Sequence, residues 1–235
     1  MNFYRSLPQA CPYLPGREET LVLSDPAEAI GAERYSFLLQ EGFRRNGAVA
    51  YRPDCRHCQA CLSVRVPVGD FRPNRSQKRN LRRNADLRLE LRPAQREAEA
   101  EALFLRYLRH RHPGGGMDNQ GERLYREMME ERGGVETVLL QSFLGDRLVA
   151  VALTDVLAAG CSAVYTFYEP DLPRRGLGTW SILAQLHWTA RLGLPYLYLG
   201  YWIADSKKMA YKRQFQPLEA YTQGTWQVLP ANDLS

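Results

Sequence analysis

The strongest constraint on this chain is a change of period in its second half. From about residue 94 to 132 the apolar residues recur at helical spacing. Ala98, Ala102, Leu105 and Leu108 share one face of a helix expected over 94–110, and a second amphipathic helix is expected over 121–132. From residue 138 the pattern becomes that of strands. Segments 138–144 and 148–157 flank Gly145-Asp146, a hairpin signal, and 163–168 reads as a third strand. A loop (170–176), a helix (178–192), a strand (196–199) and a short helix (207–213) follow. This order implies an α/β (α+β) fold with a partly antiparallel mixed sheet.

The order also resembles the acetyltransferase-like (GNAT) superfold. In the first half, Asp25-Pro26-Ala27-Glu28 reads as a helix start, with Asp25 as cap and Glu28 bonding back. Tyr35, Leu38, Leu39 and Phe43 continue it as a stripe that ends at Asn46-Gly47. Strands are expected over 48–52 and 62–68, a polar helix over 74–84, a strand over 87–91, and a break over 112–116. The expected division is an N-terminal domain, 1–73, a basic helix and connecting strand, 74–95, and an acetyltransferase-like domain, 96–235.

Charge matters here through its clustering. The chain has 235 residues, a net charge of +5 and a pI near 9.0. Arg75, Lys78, Arg79, Arg82 and Arg83 recur at spacings that put them on one helical face, with Arg72 extending the patch. Residues 72–85 contain no Asp or Glu to neutralise them. Such a face suits the phosphates of a nucleic acid, which it can hold without reading sequence. The bland alternative is a solvated helix paired with distant acids, which leaves Leu81 alone to pack it.

The absence of an apolar signal region and of an 18-residue apolar run points to a soluble cytoplasmic protein without a membrane partner. Five cysteines in such a chain favour metal or redox chemistry over disulfides. Cys55, Cys58 and Cys61 form C-x2-C-x2-C, a spacing that turns thiolates onto one ion. With Cys11 as fourth ligand and His57 in reserve, a Zn or Fe–S site is one expectation. Reduced, packed cysteines are the other. Cys161, beside a strand, reads as a small buried side chain.

Arg174-Arg175-Gly176-Leu177-Gly178 opens a helix after a strand, where backbone amides can approach an anion. Residues 196–213 hold five aromatics and four cations around a strand end, a composition that can stack bases and hold phosphates.

At these residues a family resemblance becomes specific. "YLYLGYWI" followed by "SKKMAYKRQFQPLEAY" resembles the C-terminal signature of the arginyl-tRNA–protein transferase family, and "GFRRNGAVAYRPDCRHCQACLSVRVPV" its N-terminal region. "CPYLPGREETL" and "FRPNRSQKRNLRRN" are similar to its short bacterial branch, the aspartate/glutamate leucyltransferases. The likeness runs from about Cys11 to Tyr221. It implies an N-terminal family domain before an acetyltransferase-like one, Leu-tRNA as donor, and acceptor proteins beginning with Asp or Glu. The product then carries an N-terminal leucine, a degradation signal of the N-degron kind. No cofactor is required for that transfer. Eukaryotic members carry a C-x-x-C near the N-terminus, whereas here Leu14, three residues after Cys11, stands where the second cysteine would be.

The implied reaction is attack of an amine on an already activated ester, so positioning is the main requirement. Tyr201 and Tyr211 are candidates to donate to the oxyanion or relay a proton, and Asp205 to orient the ammonium and take its proton. Lys208 joins Arg75, Lys78, Arg79, Arg82 and Arg83 as a tRNA contact. Arg174, Arg175, Lys212 and Arg213 are candidates for the acceptor's carboxylate, for which an arginine fork is best suited. Competing readings are an arginyl-tRNA donor, a CoA-dependent N-acetyltransferase and a non-catalytic RNA-binding module.

Overall fold

A computed structural model of the chain describes residues 1–111, 120–131 and 133–230. The N-terminal strands are short: β1 (Phe3–Arg5), β2 (Gln9–Ala10), β3 (Glu18–Glu19) and β4 (Leu21–Ser24). After α1 (Ala32–Gln40) come β5 (Arg44–Asn46) and β6 (Val49–Pro53). The order β1-β4-β6-β5 makes a four-stranded antiparallel sheet, and β2 pairs with β3 alone. The expected helix start at Asp25 is wrong. Asp25 instead closes a turn, its carboxylate accepting the Ala27 amide at 2.9 Å, and α1 begins seven residues later behind Gly31. Phe43 lies beyond the helix, past Gly42 at φ +79°.

β7 (Leu62–Pro67), α2 (Arg75–Arg83), β8 (Leu87–Pro93), α3 (Ala98–Arg111) and α4 (Gly121–Glu130) follow. The expected break over 112–116 lies outside the described residues. Then come β9 (Thr137–Leu144), β10 (Arg147–Leu157), β11 (Gly160–Tyr168), α5 (Leu177–Arg191), β12 (Tyr196–Trp202), β13 (Glu219–Thr222) and β14 (Thr225–Val228). The large sheet has the order β14-β13-β7-β12-β11-β10-β9-β8. β11 and β12 run parallel, and α5 supplies the crossover that parallel neighbours need. The expected mixed, partly antiparallel sheet is therefore present. β7, from the segment expected as an N-terminal domain, is hydrogen-bonded on both edges inside this sheet, and β8 closes its far edge. The expected boundaries at 73–74 and 95–96 divide the sequence without dividing the sheet.

Alternation along the strands builds a core on each face. Leu139, Val151, Leu153 and Phe167 meet Leu103, Phe104 and Leu108 of α3 and Tyr125 and Met129 of α4. Leu140, Ala152, Cys161 and Leu197 turn the other way, onto Ile182, Leu183 and Leu186 of α5. With both faces covered, β9 and β10 are buried almost throughout, which explains their nearly continuous apolar runs. A third cluster seats α1 on the sheet through Tyr35, Leu38 and Leu39 against Leu157 and Tyr198. Among the described residues no helix is long and apolar enough to cross a membrane.

Candidate functional site

The basic face predicted on α2 is real and entirely exposed. Arg75, Lys78, Arg79, Arg82 and Arg83 all face solvent, as does Arg72. The helix opens with a capping box in which Asn74 accepts the Gln77 amide and Gln77 accepts the Asn74 amide. What holds the ridge down is not Leu81 alone but a row of buried amides. Gln77 donates to the Gln214 carbonyl at 2.9 Å, Asn80 to Arg175 and Gly176 at 3.0 and 3.1 Å, and Asn84 to Arg175 at 2.9 Å. Gly176 sits at φ +62°, and a Cβ there would come within 2.8 Å of the Asn80 amide. The sequence could not reveal this arrangement, because every partner is a backbone carbonyl distant in the chain.

Arg174 and Arg175, expected to meet the acceptor, lie beside the ridge. The Arg174 carbonyl accepts from Arg83 at 2.5 Å, and Arg175 makes a forked pair with Asp86 at 2.8 Å on each side. They flank the N-terminus of α5, whose cap residue Gly176 brings no side-chain hydrogen bond.

The second region is a cleft where β11 and β12 part. Their parallel pairing ends at Ser162–Tyr198. Beyond it, residues 163–166 of β11 become partly exposed. β12 bends away at Gly200, φ +74°, where the register with β7 shifts by one residue. Into this gap reaches Arg44 of β5, whose Nη2 donates to the carbonyls of Ala163 at 3.2 Å and Val164 at 3.0 Å. Tyr51 lies opposite Arg44 in the β5–β6 register, and its ring is 5.9 Å from that of Tyr201.

Three of the predicted residues gather here. Tyr201 is 5% exposed, and its hydroxyl faces the carbonyls of Gly42 at 3.1 Å and Tyr51 at 2.9 Å. Burial pushes that phenol well above its usual range. With its proton committed to backbone, Tyr201 anchors the cleft. Lys212 is 5% exposed, and its ammonium donates to the Tyr201 carbonyl. Burial, reinforced by the nearby Arg44 charge, depresses its pKa to about 7. Tyr211 leaves 42% of its surface open to solvent, while enclosure of its phenol raises that group's pKa against the pull of Arg44 and Arg111. A further wall carries Tyr107 and Tyr168 with ring centroids 5.0 Å apart. Glu169, the carboxylate that follows, is tied to Arg106 at 3.0 Å and Arg147 at 2.6 Å.

The remaining candidates sit around the rim. Asp205 and Lys208 are exposed on the turn after β12. The helix expected over 207–213 is instead a single 3-10 turn, Ala210–Gln214. Arg213 stacks over Trp202 at 5.4 Å and donates to the Pro230 carbonyl at 2.6 Å, so it fastens the C-terminal segment.

The expected Zn or Fe–S site is not supported. Among the described residues no group of three His, Cys, Asp or Glu side chains is arranged to hold a metal ion. The thiols have other partners. Cys11 Sγ accepts the Leu14 amide at 3.4 Å, and Cys55 Sγ lies 3.8 Å from the Thr20 carbonyl. Cys61 is pushed up to about 12, first by burial and then by the neighbouring Cys55, Cys11 and Cys58. Cys161 is fully buried in β11, as its reading implied.

Arg44 and Tyr51 were missed by sequence reasoning. One signal was available: a strand carrying adjacent arginines must aim them at opposite faces. Arg45 does turn the other way. It meets Asp155 at 2.7 and 2.5 Å, Thr137 at 3.0 Å and the Gly47 carbonyl at 2.9 Å.

Two family models match the chain, "Arginine-tRNA-protein transferase, N terminus" over residues 9–79 and "Arginine-tRNA-protein transferase, C terminus" over 99–222. An aspartate/glutamate leucyltransferase of Nitrosococcus oceani is 47% identical over 97% of this chain and 96% of its own. One from Thiobacillus denitrificans is 44% identical over 98% and 96%. Among solved structures, the C-terminal domain of a protein described as a lysylphosphatidylglycerol synthetase, from Agrobacterium fabrum, is similar with a TM-score of 0.52. It is 13% identical and matches over 71% of this chain and 61% of its own, a likeness of fold alone.

Proposed function

The chain belongs to the arginine-tRNA-protein transferase family, and we propose that it transfers leucine from Leu-tRNA to the N-terminal amine of cytoplasmic proteins that begin with Asp or Glu, marking them for degradation. The observation that carries this reading is the continuity of ridge and cleft. Gln77, on the underside of the cationic helix, is bonded to Gln214, two residues from the Lys212 that lines the cleft. An RNA held along Arg75, Lys78, Arg79, Arg82 and Arg83, with Arg174 and the α5 N-terminus beyond, has its 3′ end beside the aromatic walls. Lys208, exposed near the cleft mouth, adds a phosphate contact.

In the cleft the acceptor's amine nitrogen attacks the ester carbonyl, and the terminal ribose oxygen of the tRNA leaves with a proton. An α-amino group has a reference pKa of roughly 7.7–8.0, so a useful fraction is already neutral near pH 7. Tyr211 donates to the developing oxyanion in this reading, which is supported by the engagement of the Tyr201 proton elsewhere. Asp205 orients the ammonium and takes its proton, and Lys212 faces the acceptor's acidic side chain. The walls favour leucine over arginine as the transferred residue. Tyr107 and Tyr168 offer apolar surface, and Glu169 is neutralised by two arginines.

The experiment supplies the protein with labelled Leu-tRNA, Arg-tRNA or acetyl-CoA and one Asp-initiated peptide. Label is expected to move from Leu-tRNA. Transfer from acetyl-CoA alone, or from none of the donors, overturns the reading.

A further inference from the structure

We infer that Arg44 is the specificity-determining residue for the acceptor, forming with Lys212 a two-point receptor for the side-chain carboxylate of an N-terminal Asp or Glu. The inference rests on the transfer activity proposed above and names the part of the cleft that selects its acceptor.

Neighbouring arginines make the case by contrast. Arg45 and Arg65 are largely buried, and each has a carboxylate. Arg45 is fully engaged by Asp155, Thr137 and Gly47, and Arg65 holds Glu219 at 2.7 Å. Arg44 is half-buried, and its only hydrogen bonds among the described residues run from one nitrogen, Nη2, to two carbonyls. Its Nε and Nη1 make no hydrogen bond to the described residues. Lys212, more deeply buried, also lacks an acidic partner among the described residues and has only the Tyr201 carbonyl.

Taking a cation out of water without a counter-charge costs several kcal/mol. Two such cations close together repel as well, which is how Arg44 depresses Lys212. A fold keeps that arrangement where an anion is to be bound. The geometry around Arg44 serves the same end. A Cβ on Gly200 would come within 2.5 Å of the guanidinium, so only glycine leaves it room. The two carbonyl bonds hold the guanidinium plane at the point where β11 and β12 separate, leaving the Nη1 hydrogens to bond a carboxylate.

The test measures leucyl transfer to peptides beginning with Asp, Glu, Asn and Gln, using wild type, Arg44→Gln and Arg44→Lys, with Leu-tRNA binding followed separately. Wild type is expected to prefer Asp over Asn strongly. Arg44→Gln is expected to lower kcat/KM for the Asp peptide by about 10–100-fold, the scale of a charge-assisted hydrogen bond. The loss should fall on KM and narrow the Asp-over-Asn preference, with Leu-tRNA affinity retained. Arg44→Lys should recover part of the preference. If a folded Arg44→Gln loses activity equally on Asp and Asn peptides, Arg44 is only structural and the inference fails while leucyl transfer stands. If wild type transfers leucine to no peptide, the underlying reading fails instead. Should neither variant fold, a crystal structure of wild type with an Asp-initiated peptide decides. The carboxylate is expected within hydrogen-bond reach of Arg44, and a carboxylate bound elsewhere overturns the inference.

Discussion

Lys212 carries a pH signature that stability measurements can read. Its folded pKa, about 7, lies below the unfolded value of 10.5. Between those values the unfolded chain binds the extra proton, so the penalty for burying the ammonium is full below pH 7 and is relieved as pH rises toward 10.5. Lys212→Met should therefore narrow the difference in stability between pH 6.5 and 8.5. The expected change in slope approaches about 1.4 kcal/mol per pH unit, checked by urea unfolding of both proteins. A parallel pair of curves would show that Lys212 stays charged throughout. Gly200 is the second telling residue. Gly200→Ala imposes a left-handed conformation that costs about 1–2 kcal/mol and pushes a methyl into Arg44. A lowered Tm together with a raised KM for acidic acceptors is expected. Neither role was legible beforehand: Lys212 was singled out as a cation, but its burial depends on packing against β12, and Gly200 stood out only as one letter inside an aromatic run.

At the scale of elements, α2 is the clearest success of sequence reasoning and also shows its limit. Helical spacing and the want of local acids located the ridge, because both are local properties. Its polar underside was invisible, since Gln77, Asn80 and Asn84 bond to carbonyls 91 to 137 residues away. Two predictions separate the faces. Arg79→Ala with Arg82→Ala should reduce the slope of log affinity against log salt for tRNA by on the order of 0.7–0.9 per lost phosphate contact, leaving stability nearly unchanged. Asn80→Leu should do the reverse, taking one donor each from the Arg175 and Gly176 carbonyls, which keep Asn84 and the Trp180 amide, and destabilising by roughly 1 kcal/mol. Equal effects of the two changes on stability would contradict this division of labour. The misplaced start of α1 has a similar lesson. Asp25-Pro26 carried a valid cap signal, but the cap serves a turn, and a helix start cannot be told from a turn by the cap residue alone.

The whole molecule is held together by long-range pairings that no local pattern announces. β7 enters the large sheet beside β12, and Arg45 bolts β5 to Asp155 of β10 with Thr137 completing the bond. Asp155→Ala should cost roughly 3–5 kcal/mol, because it leaves Arg45 buried without its partner. The alternation of β9 to β11 and the crossover through α5 were readable as a mixed sheet. The strands of the N-terminus and the β13–β14 hairpin were not, being short and sparsely apolar. The cysteine loop was the reverse case, a spacing legible in sequence that the fold does not close around a metal. What these long-range pairings create is one cleft that holds Arg44 and Lys212, neither bonded to a carboxylate among the described residues, with the cationic ridge of α2 at its edge. The most direct test of that account is the initial rate of transfer from labelled Leu-tRNA to peptides differing only in their first residue, Asp, Glu, Lys or Arg. Rapid labelling of the Asp and Glu peptides with little on Lys and Arg is the predicted result, and faster labelling of the Lys or Arg peptide would contradict it.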